Sequence, residues 1–317
     1  MRVLMVAPAY GYWGKLPPNC LDDEPGGQVG GGETALLNAC FELAKRGHKV
    51  TCCFACRPGR YRGVEFRALA DAEHVLARGL FDAVVSWDDA EWLLPLKGEF
   101  GRLICANQMN SIAPWAMEAV DTFVSPSGPH ARLMAATYRT PVEKFSVLPN
   151  GVDPSRFVYD CPRDPYRVLY ASSPDRGLYH LLRAWPTIHR AEPRATLHVY
   201  YELSRLEGIV EIIAGWTPEM AQLVRMLMQY KRDASRLGVV LEGAKHPRRV
   251  ARDACASGVL AYPCDTGFFT EGFGTMVLES YCAGAKVITT DTDAFAELWG
   301  DAGAVPLRSA EGEPAPL

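Results

Sequence analysis

Residues 269–290 constrain this chain more than any other stretch. They read Phe269-Thr270-Glu271-Gly272-Phe273-Gly274-Thr275-Met276-Val277-Leu278-Glu279, then Ser280-Tyr281-Cys282-Ala283-Gly284-Ala285, then Lys286-Val287-Ile288-Thr289-Thr290. The preceding apolar run, Gly258-Val259-Leu260-Ala261-Tyr262-Pro263, has the length of a buried parallel strand. Gly272 and Gly274 let the backbone turn tightly and approach a ligand. From Thr275 onward, Met276, Leu278, Glu279 and Cys282 recur at helical spacing, and Gly284 closes the helix. The unit is strand, glycine loop, helix N-terminus, whose free N–H groups and positive dipole end suit phosphate or sugar oxygens. Glu271 lies in the loop and Glu279 about two turns into the helix, with seven residues between them. That spacing lets one carboxylate address a sugar and the other a ribose. On spacing alone, common loop glycines and a solvated helix glutamate explain it equally well.

A chain of 317 residues is long enough for two domains with separate cores. Its hydrophobic content of 48% and charged content of 22% are ordinary for a globular protein. The net charge of -4 argues against a general nucleic-acid binder. No apolar run reaches the roughly 18–20 residues of a membrane helix, and residues 2–8 begin a strand too soon for a signal peptide. A cytoplasmic location, with or without peripheral membrane contact, is the expectation. The ten cysteines show no framework spacing. Cys53-x-x-Cys56 formally matches a metal or redox pair, but with no second pair a reduced core strand is the simpler reading.

The full string from Glu271 to Glu279 resembles the E-x7-E signature of retaining glycosyltransferases with the GT-B fold, specifically family four ("glycosyl transferases group 1"). Its Glu-Gly-Phe-Gly, Leu-Glu and Ala-x-Gly elements, followed by an apolar strand, are all present. A second likeness is Pro149-Asn150-Gly151-Val152-Asp153, the family's string at the domain junction. A third is Gly30-Gly31-Gly32-Glu33 opening a helix over residues 34–46, with Leu43-Ala44-Lys45-Arg46-Gly47-His48 at its far end. The resemblance spans residues 2–305 and implies two Rossmann-like domains with parallel sheets facing across a cleft. An acceptor-side domain is expected over residues 1–153, a linker over 154–165, where prolines and charges gather, and a donor-binding domain over 166–317.

The resemblance also implies roles. Glu271 holds the sugar hydroxyls and Glu279 the ribose, with Phe273, Gly274 and Thr275 around them. Arg176, in Ser172-Ser173-Pro174-Asp175-Arg176-Gly177, holds the diphosphate, as a planar, permanently charged fork suits phosphate oxygens. Ser172 and Ser173 stand near the place of a second cation that the family pattern expects. Gly31 and Gly32 bring backbone amides to the diphosphate. The turn at Gly243, Ala244 and Lys245 meets the nucleobase. Many members place a histidine at the end of one first-domain strand; here Trp87-Asp88 and Asn107-Gln108 end two such strands. Asp88, as a catalytic group, and Asn107, at the acceptor, are the expected substitutes, although both also suit strand ends and helix caps. Tyr10 and Trp13, in a long loop at a strand's carboxyl end, suit acceptor sugar faces. Residues 217 onward are expected to form a long amphipathic helix. Asp291-Thr292-Asp293 formally matches a metal motif but is expected to cap a helix over 294–299.

The implied reaction transfers a sugar from a nucleotide-diphosphate sugar to an acceptor hydroxyl on a glycan, lipid-linked, protein or other acceptor. It proceeds with retention and without metal or cofactor. A catalytically silent nucleotide-sugar binder and a sugar-nucleotide epimerase remain as alternatives.

Overall fold

A computed structural model describes residues 1–8, 16–22, 29–88, 100–109, 116–174, 176–202, 225–226, 230, 237–264, 271–300 and 305–306. Two compact units divide the chain, Met1–Asp153 and Pro154–Leu317.

In the first unit, β1 (Arg2–Val6), β2 (Lys49–Phe54), β3 (Gly59–Tyr61), β4 (Val64–Ala68), β5 (Ala83–Trp87), β6 (Leu103–Ala106), β7 (Thr122–Ser125) and β8 (Phe145–Val147) form one sheet, ordered β3-β4-β2-β1-β5-β6-β7-β8. Every neighbouring pair is parallel except β3 with β4. Helices α1 (Gly31–Lys45), α2 (Ala72–Arg78), α3 (Ala116–Ala119) and α4 (Gly128–Thr137) punctuate the strands. Alternate strand residues face opposite sides, and both sides are covered. Leu4, Val6, Val84, Cys105 and Phe123 pack with Leu76 of α2 and Met134 of α4. Val3, Met5, Cys52 and Phe54 pack with Leu36, Leu37 and Cys40 of α1. Helix α1 ends as the sequence suggests. Gly47 takes φ +86, and the amides of Gly47 and His48 close back on Ala44 and Leu43.

All ten cysteines are free thiols. Burial pushes Cys53 and Cys56 up to about 12, so both are protonated core residues at neutral pH. Among the described residues no cluster of His, Cys, Asp and Glu could hold a metal, and no helix is long and apolar enough to cross a membrane.

The second unit carries β9 (Asp164–Tyr170), α5 (Leu178–Ala191), β10 (Thr196–Val199), β11 (Val239–Leu241), α6 (Pro247–Ala256), β12 (Ser257–Tyr262), α7 (Thr275–Cys282), β13 (Lys286–Thr289), α8 (Phe295–Trp299) and β14 (Val305–Pro306). Its sheet is parallel, ordered β11-β10-β9-β12-β13-β14. Helix α5 buries Leu178, Leu181, Leu182 and Trp185, one stripe at helical spacing. Pro186 lies inside that helix and brings no N–H to the carbonyl of Leu182. The Tyr230 hydroxyl donates to that carbonyl instead, at 2.9 Å.

Two expectations change. Residues 154–165 belong to the second unit and do not form a free linker. The segment Pro154–Phe157 is a 3-10 turn that buries Phe157, Arg163 donates to the carbonyls of Ser257 (2.7 Å) and Ala283 (2.5 Å), and β9 already begins at Asp164. Its prolines and charges looked like a linker because the partners that tie it down lie far along the chain. Ala294, not Asp293, is the N-cap residue of α8; Asp293 sits at φ +53 and its Oδ2 accepts from the backbone N–H of Glu271 at 3.0 Å. Of the expected helix from residue 217 only residues 225, 226 and 230 are described before residue 237, each helical, and the rest lies outside the described residues.

Candidate functional site

A polar constellation in the second unit gathers at the carboxyl ends of β9 and β12 and the N-terminus of α7. Gly274, in the left-handed region at φ +80, precedes α7 without any side-chain cap. A Cβ there would lie 2.5 Å from the Phe295 ring, so glycine is required by both dihedral angle and space. The turn folds Glu271 back over the helix start. Its Oε1 accepts from the amides of Gly274 (2.8 Å) and Phe273 (3.2 Å). Its Oε2 accepts from the Tyr262 hydroxyl (2.5 Å) and from Arg176 Nη1 (2.8 Å).

Glu271 is only 6% exposed. Burial pushes its carboxyl up, but the Arg176 charge, the Tyr262 hydrogen bond and the two amides outweigh it and hold the group below the usual carboxylate range. It is therefore a fixed anion. Tyr262 is driven the other way, well above its ordinary value, by its own burial and then by the Glu271 charge. The phenol keeps its proton and donates it to the carboxylate.

Arg176 arrives on the turn between β9 and α5. The Tyr170 hydroxyl donates to the carbonyls of Ser173 (2.7 Å) and Arg176 (3.0 Å), and the Arg176 amide returns to Ser173 (3.0 Å). Gly177, at φ +85, starts α5; a Cβ there would come within 1.6 Å of the Pro263 carbonyl oxygen. This contact forces the turn against the end of β12. Ser172 Oγ lies 2.7 Å from the Tyr262 hydroxyl, completing a chain Ser172–Tyr262–Glu271–Arg176. The Arg176 side chain is 36% exposed, with its Nε buried.

Thr275 is half-buried in the first turn of α7. Phe273 is buried edge-on against Trp299, whose indole N–H donates to the Phe273 carbonyl at 2.9 Å. Glu279, in the next turn, does not join the Glu271 cluster. Its Oε1 lies 3.7 Å from Arg156 Nη1. Burial raises its carboxyl, with Arg156 pulling it down. Gly243 takes φ +71 beyond β11, Ala244 is half-buried and Lys245 is exposed.

In the first unit, Asp88 follows β5 at φ +70 and is buried. Its Oδ1 accepts from the amides of Gln108 and, at 2.8 Å, Met109, which shapes the turn after β6. Asn107 lies in that turn, fully buried, and neither side-chain amide atom has a hydrogen-bond partner among the described residues. Asn150 Nδ2 donates to Gln108 Oε1 at 2.6 Å, so the junction string also braces this turn. Gly31 and Gly32 occupy the first turn of α1, whose N-terminus has no side-chain cap. Tyr10 and Trp13 lie outside the described residues.

The structure thus joins Ser172, Ser173, Arg176, Glu271, Phe273 and Gly274 into one cluster. Two residues went unread in the sequence, Tyr262 in this cluster and Arg156 beside Glu279. Tyr262 carried a faint signal, a hydroxyl at the carboxyl end of a mostly apolar strand. Arg156 carried none.

No protein-family model matches this chain, and no curated protein does. Solved structures do. A glycosyltransferase involved in avilamycin A biosynthesis, AviGT4, shares 17% identity at a TM-score of 0.67, covering 99% of this chain and 86% of that one. Sucrose-phosphate synthase from Thermosynechococcus elongatus shares 13% identity at a TM-score of 0.69, over 98% and 88% of the two chains. Anabaena Alr3699/HepE in complex with UDP and glucose shares 14% identity at a TM-score of 0.61, over 94% and 82%. Such identities speak for the fold alone, and the fold is GT-B.

Proposed function

We propose that this chain is a metal-independent, retaining glycosyltransferase of the family-four type, which moves a sugar from a nucleotide-diphosphate sugar to an acceptor hydroxyl. The observation that carries this reading is the ionised, buried Glu271 fixed at the N-terminus of α7 with Arg176 on its Oε2. HepE has been captured with UDP and glucose on the same fold.

A carboxylate offers about four lone-pair directions, and all four of Glu271 are taken. A sugar hydroxyl therefore gains Oε2 as Arg176 turns away. The same turn delivers the guanidinium to the diphosphate, where negative charge grows as the bond from the anomeric carbon to the phosphate oxygen breaks. The α7 amides and dipole add to that stabilisation. These are charges a metal would otherwise supply. The second unit is assigned the donor, with Glu279 on the ribose and the Gly243–Lys245 turn on the base. The first is assigned the acceptor, with Gly31 and Gly32 toward the diphosphate and Asp88 and Asn107 standing for the absent histidine.

The test is transfer or donor hydrolysis across a panel of nucleotide sugars, with and without chelator, on the wild type and Arg176→Ala. A cation facing developing charge matters more in the transition state than in the ground state. Arg176→Ala should therefore lower turnover at saturating donor more than it lowers donor affinity, and Arg176→Lys should recover only part. Binding without any turnover would leave a nucleotide-sugar binder. Loss of activity with chelator, restored by manganese, would end the metal-independent reading.

A further inference from the structure

Arg156 sits on the 3-10 turn Pro154–Phe157 with its side chain 7% exposed, yet neither Nε nor Nη1 has a hydrogen-bond partner among the described residues. A buried guanidinium with unmet donors is costly, and structures keep such a group only where something repays it. Its charge partner is Glu279 Oε1, 3.7 Å from Nη1, beyond hydrogen-bond reach. Glu279 is itself only 15% exposed. The pair is thus a donor and an acceptor held slightly too far apart to satisfy each other.

An oxygen about 2.8 Å from each atom would bridge that gap, and because Nη1 is closed to solvent it enters as the pair parts. It must accept from Nη1 and donate to Oε1. A hydroxyl does both. A phosphate or carboxylate would meet the Glu279 charge, and an ammonium would meet Arg156. The pair is therefore selective for a neutral hydroxyl. Resting on the assignment of Glu279 to the donor's ribose, we propose that Arg156 is a specificity-determining residue of the donor site, donating from Nη1 to the same ribose hydroxyl that Glu279 accepts from. The 3-10 turn is then part of the nucleotide site, which explains why residues 154–157 are docked on the second unit.

Calorimetry on the full chain tests this with UDP, ADP and GDP, each beside its 2′-deoxy and 3′-deoxy counterpart. The wild type should favour the ribose form of its preferred nucleotide over one deoxy form by about tenfold or more. Arg156→Met should weaken the ribose form by about tenfold and leave that deoxy form unchanged, so the discrimination collapses. In a Glu279→Gln background the same substitution should have no further effect on discrimination, since both act on one hydroxyl. Arg156→Lys, which keeps the charge but loses the fork, should restore discrimination only in part, at a melting temperature close to wild type. It carries the test alone if Arg156→Met fails to fold, full discrimination in Arg156→Lys then counting against the proposal. Equal weakening of ribose and deoxy forms by Arg156→Met would overturn the proposal and make Arg156 a packing residue. Discrimination that survives Glu279→Gln intact would instead sink the ribose assignment beneath it, as would a wild type that binds no nucleoside diphosphate.

Discussion

A buried carboxylate without partners takes up a proton; Glu271 stays ionised because four donors surround it. Its folded-state pKa lies below the ordinary value of 4.5. The unfolded chain therefore holds that proton more tightly. The group's contribution to stability is complete above the unfolded value and is lost as pH falls through the lower folded one. Glu271→Gln should lower the melting temperature at neutral pH, because an amide cannot accept from all four donors. The deficit should shrink as pH drops below about 4.5, where wild-type Glu271 begins to lose its own advantage. Melting curves between pH 3 and 7 (a range spanning roughly the carboxylate titrations) read this directly. A constant gap would mean that the carboxyl carries no linked proton. Local pattern reveals Glu271, since Glu-Gly-Phe-Gly before a helix marks it. It does not reveal Tyr262 or Arg156, because the identity of a side chain's partner is decided by strand register and helix docking, and neither is written in the residues around it.

Helices α5 and α7 begin alike, each after a left-handed glycine and without a side-chain cap. The sequence discloses this arrangement, as Arg176-Gly177 and Phe273-Gly274 both follow a strand and open an apolar stripe. It does not disclose how different the glycines are. At Gly177 a Cβ would drive into the Pro263 carbonyl oxygen at 1.6 Å, a backbone atom that cannot rotate away. At Gly243 no atom lies within 4 Å, so only the dihedral cost remains. Gly243→Ala should cost about 1–2 kcal/mol, the usual penalty of left-handed backbone for an L-residue. Gly177→Ala should cost clearly more, because it also separates β12 from the turn carrying Arg176. Denaturant melts of the two variants make the comparison, and similar midpoints would contradict this account of the α5 turn. Asp291-Thr292-Asp293 precedes α8 in sequence, but the helix takes Ala294 as its N-cap residue, and Asp293 Oδ2 accepts from the distant amide of Glu271.

Each unit has its own mainly parallel sheet with helices on its strands' connections, and the alternation of apolar runs with amphipathic stretches made that architecture legible along most of the chain. The antiparallel edge strand β3 and the short edge strand β14 escaped notice, since strands of three and two residues carry almost no periodic signal. Two separate cores also give the proposed division of labour a measurable form. A ligand that binds only folded protein stabilises what it touches by mass action, about 2.7 kcal/mol at a hundredfold excess over its dissociation constant. If the second unit holds the donor, a nucleoside diphosphate should slow amide hydrogen exchange most around the site. That means the first turns of α5 and α7, the Gly243 turn, and the 3-10 turn of Arg156. Amides of β1, β2 and β4, in the first unit's sheet, should exchange at their original rates. The slowing at α7 should persist in chelator, because Arg176 and the helix terminus meet the diphosphate without a metal. Protection that appears in β1 and β2 while α7 stays unchanged would move the donor to the first unit and reverse the assignment.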